Sequence, residues 1–242
     1  MSERTSASHE TTPQVRRALA RWAVRTAAGV VVYGAFIFLS AGTLGWVWGW
    51  VFLALLTAVM IAHPLVLVPA NPEVLVEREK GLWNQGVKAW DKWITTLAGG
   101  LMPLPWIVAG LDLRWHWSAL LPLAVHLGGL LVAVLGYALF LWAMASNAFF
   151  SQGVRIQAER GHAVAAGGPY QVVRHPGYAG TILTQLAAPC LLGSPWALIP
   201  AGLSAALFVV RTRLEDKMLL AELSGYPDYA RRTPARLLPG VW

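Results

Sequence analysis

Gly167-Gly168-Pro169-Tyr170-Gln171-Val172-Val173-Arg174-His175-Pro176-Gly177-Tyr178-Ala179-Gly180 sets an arginine, a histidine, two tyrosines and two prolines between long apolar runs. Upstream, Leu120 to Ala145 is apolar almost throughout. Downstream, Tyr178 to Leu192 and Trp196 to Val210 are apolar and are separated by Gly193-Ser194-Pro195. Ionisable groups at membrane depth are costly and are retained for a task, so the stretch reads as a binding site where spans end. Each downstream run is short against the roughly 20 residues that a crossing takes, and a tight helical hairpin dipping through the membrane fits both.

Of 242 residues, 56% are hydrophobic and 13% are charged, whereas a soluble domain carries about 25% charged residues. The expected fold is therefore all-α, a polytopic transmembrane helical bundle of five to six membrane segments with the last two as the hairpin. The single cysteine, Cys190, lies in an apolar run and supplies neither a disulfide nor a multi-cysteine metal site. The net charge of +7 does not call for nucleic acid, because the basic residues flank apolar segments as membrane orientation requires. The polar start, Met1 to Gln14, has no signal-peptide core, and the first apolar run reads as an anchor.

In order, residues 1–21 read as a loose basic tail. Residues 22–145 hold four spans: from Trp22 to Ala41, from Trp46 to Val68, from Ile94 to Leu111 with a kink at Pro103 and Pro105, and from Leu120 to Ala145. Between the second and third, residues 72–93 mix charges with Val74, Leu75, Trp83, Trp90 and Trp93 and read as an interfacial helix. Gly128, Gly129 and Gly136 would let the fourth span approach a neighbour closely. Residues 146–242 form the polar insert, the hairpin and a polar tail.

With the N-terminus inside, 18 of the 19 basic residues fall on one side, Arg114 being the exception. This bias places both termini in the cytoplasm, with a bacterial inner membrane as the expected setting. It also puts the insert and the tail, with Arg211, Glu215 and Asp216 followed by Gly225-Tyr226-Pro227-Asp228-Tyr229, on the same face as candidates for one site.

His162-Ala163-Val164, then Gly168-Pro169-Tyr170 to Arg174-His175-Pro176-Gly177-Tyr178-Ala179-Gly180, then Glu215-Asp216 and the Gly225 to Tyr229 tail, resemble the isoprenylcysteine carboxyl methyltransferase and phospholipid methyltransferase superfamily of integral-membrane enzymes. The resemblance covers roughly the last hundred residues; earlier spans match in hydropathy only. It implies a cytosolic pocket for S-adenosyl-L-methionine lined by His162, Val164, Gly168, Pro169, Tyr170, His175, Pro176 and Tyr178, with Glu215 reaching in from the tail helix. It also implies methyl transfer to a lipophilic acceptor: an isoprenylcysteine-type carboxylate, a phospholipid amine or a thiol. Where the family commonly has Glu-Glu, this chain has Glu215-Asp216, which leaves the role of Asp216 open.

The residue types suit that chemistry on their own terms. Aromatic faces hold a sulfonium cation, Glu215 answers an ammonium, and Arg174 or His175 answers a carboxylate. Methyl transfer gains mostly from alignment in a dry pocket. A carboxylate acceptor needs an arginine, Arg174 or Arg211, to place it, and an amine or thiol needs a base such as Glu215 or His175. Glu215 and Arg174 are the candidate catalytic residues. Asn147 and Ser151 either line the acceptor channel or cap the fourth span. His63, His116 and His126 lie at different depths, so no metal is expected. Two rival readings stay open: an NADPH-dependent membrane reductase of the sterol type and a non-enzymatic membrane protein. Membrane lipids are expected partners, and the oligomeric state is not legible.

Overall fold

The computed structural model describes residues 13–242. Regular structure among them is helical: α1 (Pro13–Ala41), α2 (Val47–Ala70), α3 (Pro72–Glu79), α4 (Ala89–Leu101), α5 (Leu104–Trp115), α6 (Leu123–Ala145), α7 (Pro176–Leu192), α8 (Leu198–Glu222) and α9 (Tyr226–Arg232). Four stretches, Val15–Ala41, Val47–Ala70, Ala89–Trp115 and Leu123–Ala145, are long and apolar enough to cross a membrane. The chain is an integral-membrane helical bundle. The third stretch joins α4 to α5, and the break falls at Met102 and Pro103, where a proline cannot continue the backbone ladder.

The hairpin is asymmetric. Helix α7 has 17 residues, about 25 Å at 1.5 Å per residue, and ends at Gly193 in the left-handed region, with φ of 83°. Helix α8 runs on for 25 residues, because beyond Val210 the sequence keeps good helix formers and holds neither glycine nor proline before Gly225. Arg211, Glu215 and Asp216 thus ride on the polar extension of α8 beyond its apolar run.

The expected starts and ends of the N-terminal elements differ from the structure. Helix α1 starts at Pro13 rather than near Trp22, because Val15 and Ala18 are buried and Leu19 and Trp22 pack on the cluster of Leu67, Val74 and Leu75. That spacing is an apolar helical stripe inside a basic segment; residues 1–12 of the expected tail lie outside the described residues. The single interfacial helix over residues 72–93 is also replaced. Helix α3 stops at Glu79, turns with Gly81 and Gly86 at positive φ follow, and Trp90 and Asp91 already belong to the third span.

Helices α6 and α7 pack face to face on small residues. A Cβ on Gly180 would sit 2.4 Å from the Gly136 carbonyl oxygen, and one on Gly129 would sit 2.4 Å from the Leu191 nitrogen. Gly128, expected on the same seam, faces open space instead. At the hairpin tip the buried Asp112 accepts from the Ser118 amide at 2.8 Å and from the Ser194 hydroxyl at 2.5 Å. Below it Ile37, Phe52, Trp106 and Leu191 form the main apolar core.

Candidate functional site

The insert between α6 and α7 is shaped by residues that act on the backbone. Gly168 has φ of 57°, and a Cβ there would lie 2.5 Å from Ser146 Oγ. Pro169 opens a short 3-10 turn that carries Tyr170 into a cluster with Met218, Leu219, Tyr226 and Tyr229. The amides of Arg174 and His175 donate to the carbonyls of Ala235 and Arg236, each at 2.9 Å, so the C-terminal segment lies alongside this stretch. Pro176 occupies the first turn of α7, where its missing N–H is no loss.

Asp216 is the hub that ties these pieces together. It is buried and accepts from Arg174 Nε at 2.8 Å and Nη2 at 2.9 Å, from Arg236 Nε at 2.8 Å and from the Tyr226 hydroxyl at 2.9 Å. His175 Nε2 lies 3.3 Å from the same carboxylate. Burial opposes ionisation, but the bonds from His175, Arg174 and Arg236 outweigh it and hold the Asp216 carboxyl far below the usual carboxylate range. The remaining Arg174 donors reach the Thr233 and Pro234 carbonyls at 2.9 and 2.8 Å. Arg174 therefore clamps the C-terminal segment, and Asp216 holds the clamp.

A second buried pair lies one helical turn deeper. Arg211 donates through Nε to Asp91 Oδ1 at 2.6 Å and through Nη2 to the Gln152 carbonyl at 2.8 Å, and its guanidinium lies 5.1 Å above the Tyr178 ring. Asp91 also accepts from the Val154 amide at 2.7 Å, which joins α4, α8 and the insert. The Tyr178 hydroxyl donates to Glu215, whose carboxylate has no arginine or lysine partner among the described residues. The opposite wall rests on Arg155, which pairs with the buried Glu77 at 2.5 Å. His162 stacks on Phe149 at 4.6 Å, and its Nδ1 accepts from the Gln157 amide at 3.1 Å. Burial first, and then the charges of Arg155 and Arg160, pull the His162 pKa below its ordinary value.

These groups surround a cavity of about 380 Å³, within the range of small-molecule sites. Its polar part is lined by Asn147, Arg155, His162, Tyr170, His175 and Glu215. A second limb follows Thr95, Ala98, Gly99 and Met102 along one face of α4, with Thr181 and Gln185 of α7 and Phe208 of α8 opposite. Gln185 Oε1 is buried there without a hydrogen-bond partner among the described residues.

His162, Val164, Tyr170, Arg174, His175, Tyr178 and Glu215 all line this cavity, whereas Gly168, Pro169 and Pro176 do not and act through the backbone. Asn147 and Ser151 both line the cavity, and neither side chain bonds the end of α6: the Asn147 side-chain oxygen accepts from the Phe149 amide at 2.9 Å, its amide donates to Tyr170 at 3.2 Å, and the Ser151 hydroxyl donates to the Gly153 carbonyl at 2.6 Å. Asp91, Arg155 and Arg78 were not singled out from the sequence. The one available signal was their charge beside apolar runs.

Residues 129–221 match the isoprenylcysteine carboxyl methyltransferase (ICMT) family. The ICMT-matching region takes in most of α6, the insert, α7 and nearly all of α8, and so contains both Asp216 and Glu215. Cobalt-zinc-cadmium resistance protein CzcN of Cupriavidus metallidurans is 30% identical over 127 residues, which is 50% of this chain and 52% of that protein. The match thus spans about half the length of this curated relative.

Proposed function

We propose that the cavity binds S-adenosyl-L-methionine and that the protein transfers its methyl group to a lipophilic acceptor at the cytoplasmic face of the membrane. The observation that carries the reading is convergence: the insert from His162 to Tyr178 and Glu215 of α8 border one cavity whose second limb enters the span between α4, α7 and α8. The ICMT match over the same residues agrees with it.

The donor set fits the cofactor. Glu215, with no arginine or lysine bonded to it among the described residues, offers a carboxylate to an ammonium, and Tyr170, Val164, Leu219 and Leu223 give an apolar wall. When bound, the cofactor supplies a methyl group on an electrophilic sulfonium. The chain's own work is to align the acceptor with that methyl and to exclude water. Glu215 is the group available to take a proton from an amine or thiol, and a carboxylate acceptor needs none. The limb lined by Ala98, Gly99, Met102 and Phe208 suits the hydrocarbon part of the acceptor, entering from surrounding lipid. Both termini lie in the cytoplasm, in a bacterial inner membrane.

Calorimetry of the purified protein in detergent tests the reading. Saturable binding of S-adenosylmethionine, with transfer of labelled methyl into a lipid extract, is expected. Glu215→Gln should weaken binding by roughly tenfold or more, the scale of a hydrogen bond to a charged group. Binding of NADPH alone, or of neither nucleotide, would overturn it.

A further inference from the structure

The second limb of the cavity holds a polar group that methyl transfer does not use. Gln185 of α7 borders it, and the side-chain oxygen, Oε1, is buried with no hydrogen-bond partner among the described residues. Leaving a buried acceptor unsatisfied costs more than a typical bond contributes. The two hydroxyls in the same limb do not answer it, because their hydrogens are committed elsewhere. Thr181 Oγ1 donates to the Gly177 carbonyl at 2.9 Å, and Thr95 Oγ1 donates to Asp91 Oδ1 at 3.3 Å. Their oxygens remain as further acceptors facing the limb. The residues that line this limb are uncharged, so an ion entering it would meet no counter-charge.

Tyr178, Thr181 and Gln185 recur three and four residues apart on α7 and all border the cavity, so they share one helix face. Seven residues at 1.5 Å each put Gln185 about 10 Å along the axis from Tyr178, whose hydroxyl donates to Glu215. A lipophilic chain whose head lies beside Glu215 therefore passes Gln185 well down its tail. We propose that Gln185 is a specificity-determining residue that binds an uncharged hydrogen-bond donor, a hydroxyl or an amide N–H, carried within the tail of the acceptor. A hydroxyl both donates and accepts, and so satisfies the Gln185 amide in either orientation. The inference rests on the methyltransferase reading for the word acceptor. A slot for plain hydrocarbon would be better served by an apolar side chain at this position. A trapped water is the competing partner for Oε1, and the experiment separates the two.

The probes are oleate and ricinoleate, which share the carboxylate, chain length and double bond and differ by one mid-chain hydroxyl. Both are offered in equal amounts to the full-length protein in a neutral detergent, and retention is read by native mass spectrometry. The parent should retain ricinoleate over oleate by about fivefold, the scale of one net hydrogen bond. Gln185→Leu and Gln185→Met should each bring the ratio near parity without reducing oleate retention. Affinity for S-adenosylmethionine, measured by calorimetry, should stay within about twofold in all three proteins. A parent without the preference would overturn the proposal and leave the amide to water. A variant that keeps the preference would overturn it too, and one that loses both lipids alike would reduce Gln185 to a structural role. The parent's own ratio decides the matter if neither variant folds. Failure of the methyltransferase reading is separate, since it shows as a parent that binds no donor.

Discussion

Asp216→Asn tests the claim that one carboxylate assembles the polar wall of the site. The substitution keeps the shape and removes the charge. Asp216 Oδ2 accepts from Arg174 Nη2 at 2.9 Å and from Arg236 Nε at 2.8 Å, so an amide nitrogen in that position would face donors. Arg174 would be left buried beside a neutral group. Breaking a buried pair by neutralising one partner costs about 3–5 kcal/mol, roughly a hundred- to several-thousand-fold in a local opening equilibrium. The loss should concentrate where Arg174 and Asp216 make their contacts, at residues 170–176 and 233–242. Hydrogen exchange followed by mass spectrometry should show faster exchange in those peptides, while those from α2 and α6 keep the parent's rates. Asp228→Asn is the control, because Asp228 pairs with Arg231 on the surface, where such a pair contributes about 0–1 kcal/mol. If Asp216→Asn exchanges like the parent in both segments and binds the methyl donor equally well, the hub has no organising role and the account of the wall is wrong.

Gly180→Ala should destabilise the bundle by about 1–3 kcal/mol through overpacking, because its Cβ would meet backbone of α6 at 2.4 Å; Gly128→Ala, which meets nothing, should not, and thermal unfolding in detergent separates them. His162 has a folded pKa held below its unfolded value. Its contribution to stability is therefore complete above an unfolded pKa of about 6.5 and is lost as pH falls below it. Unfolding temperature should drop on acidification through that window, and the part of the drop due to this residue should vanish in His162→Asn. A reporter fused after Trp242 should be active in the cytoplasm, and activity on the opposite side would refute the assigned orientation.

The spans were legible because hydropathy is a local property, and the two prolines at positions 103 and 105 announced the break between α4 and α5. The polar insert was legible for a similar reason: polar chemistry in so apolar a chain stands out. His162, Tyr170, His175 and Tyr178 fall within a short stretch, and the backbone that joins them also holds them near one another. The start of α1 is hidden in the sequence because Arg16, Arg17 and Arg21 interrupt the helical spacing of Val15, Ala18, Leu19 and Trp22, and burial against α3 decides that helix.

The sequence by itself determined the membrane class of the protein, the order of its spans, the hairpin and the polar stretch that borders the cavity, since each depends on neighbouring residues and on the preference of apolar groups for lipid. Only the tertiary structure decided which charges neutralise one another. Asp91 meets Arg211 across a separation of 120 residues, and Arg155 meets Glu77 across 78. No local pattern encodes such distances, because pairing depends on which helix faces meet. The same packing supplies Arg174 with Asp216 and, among the described residues, leaves Glu215 without an arginine or lysine partner at the cavity.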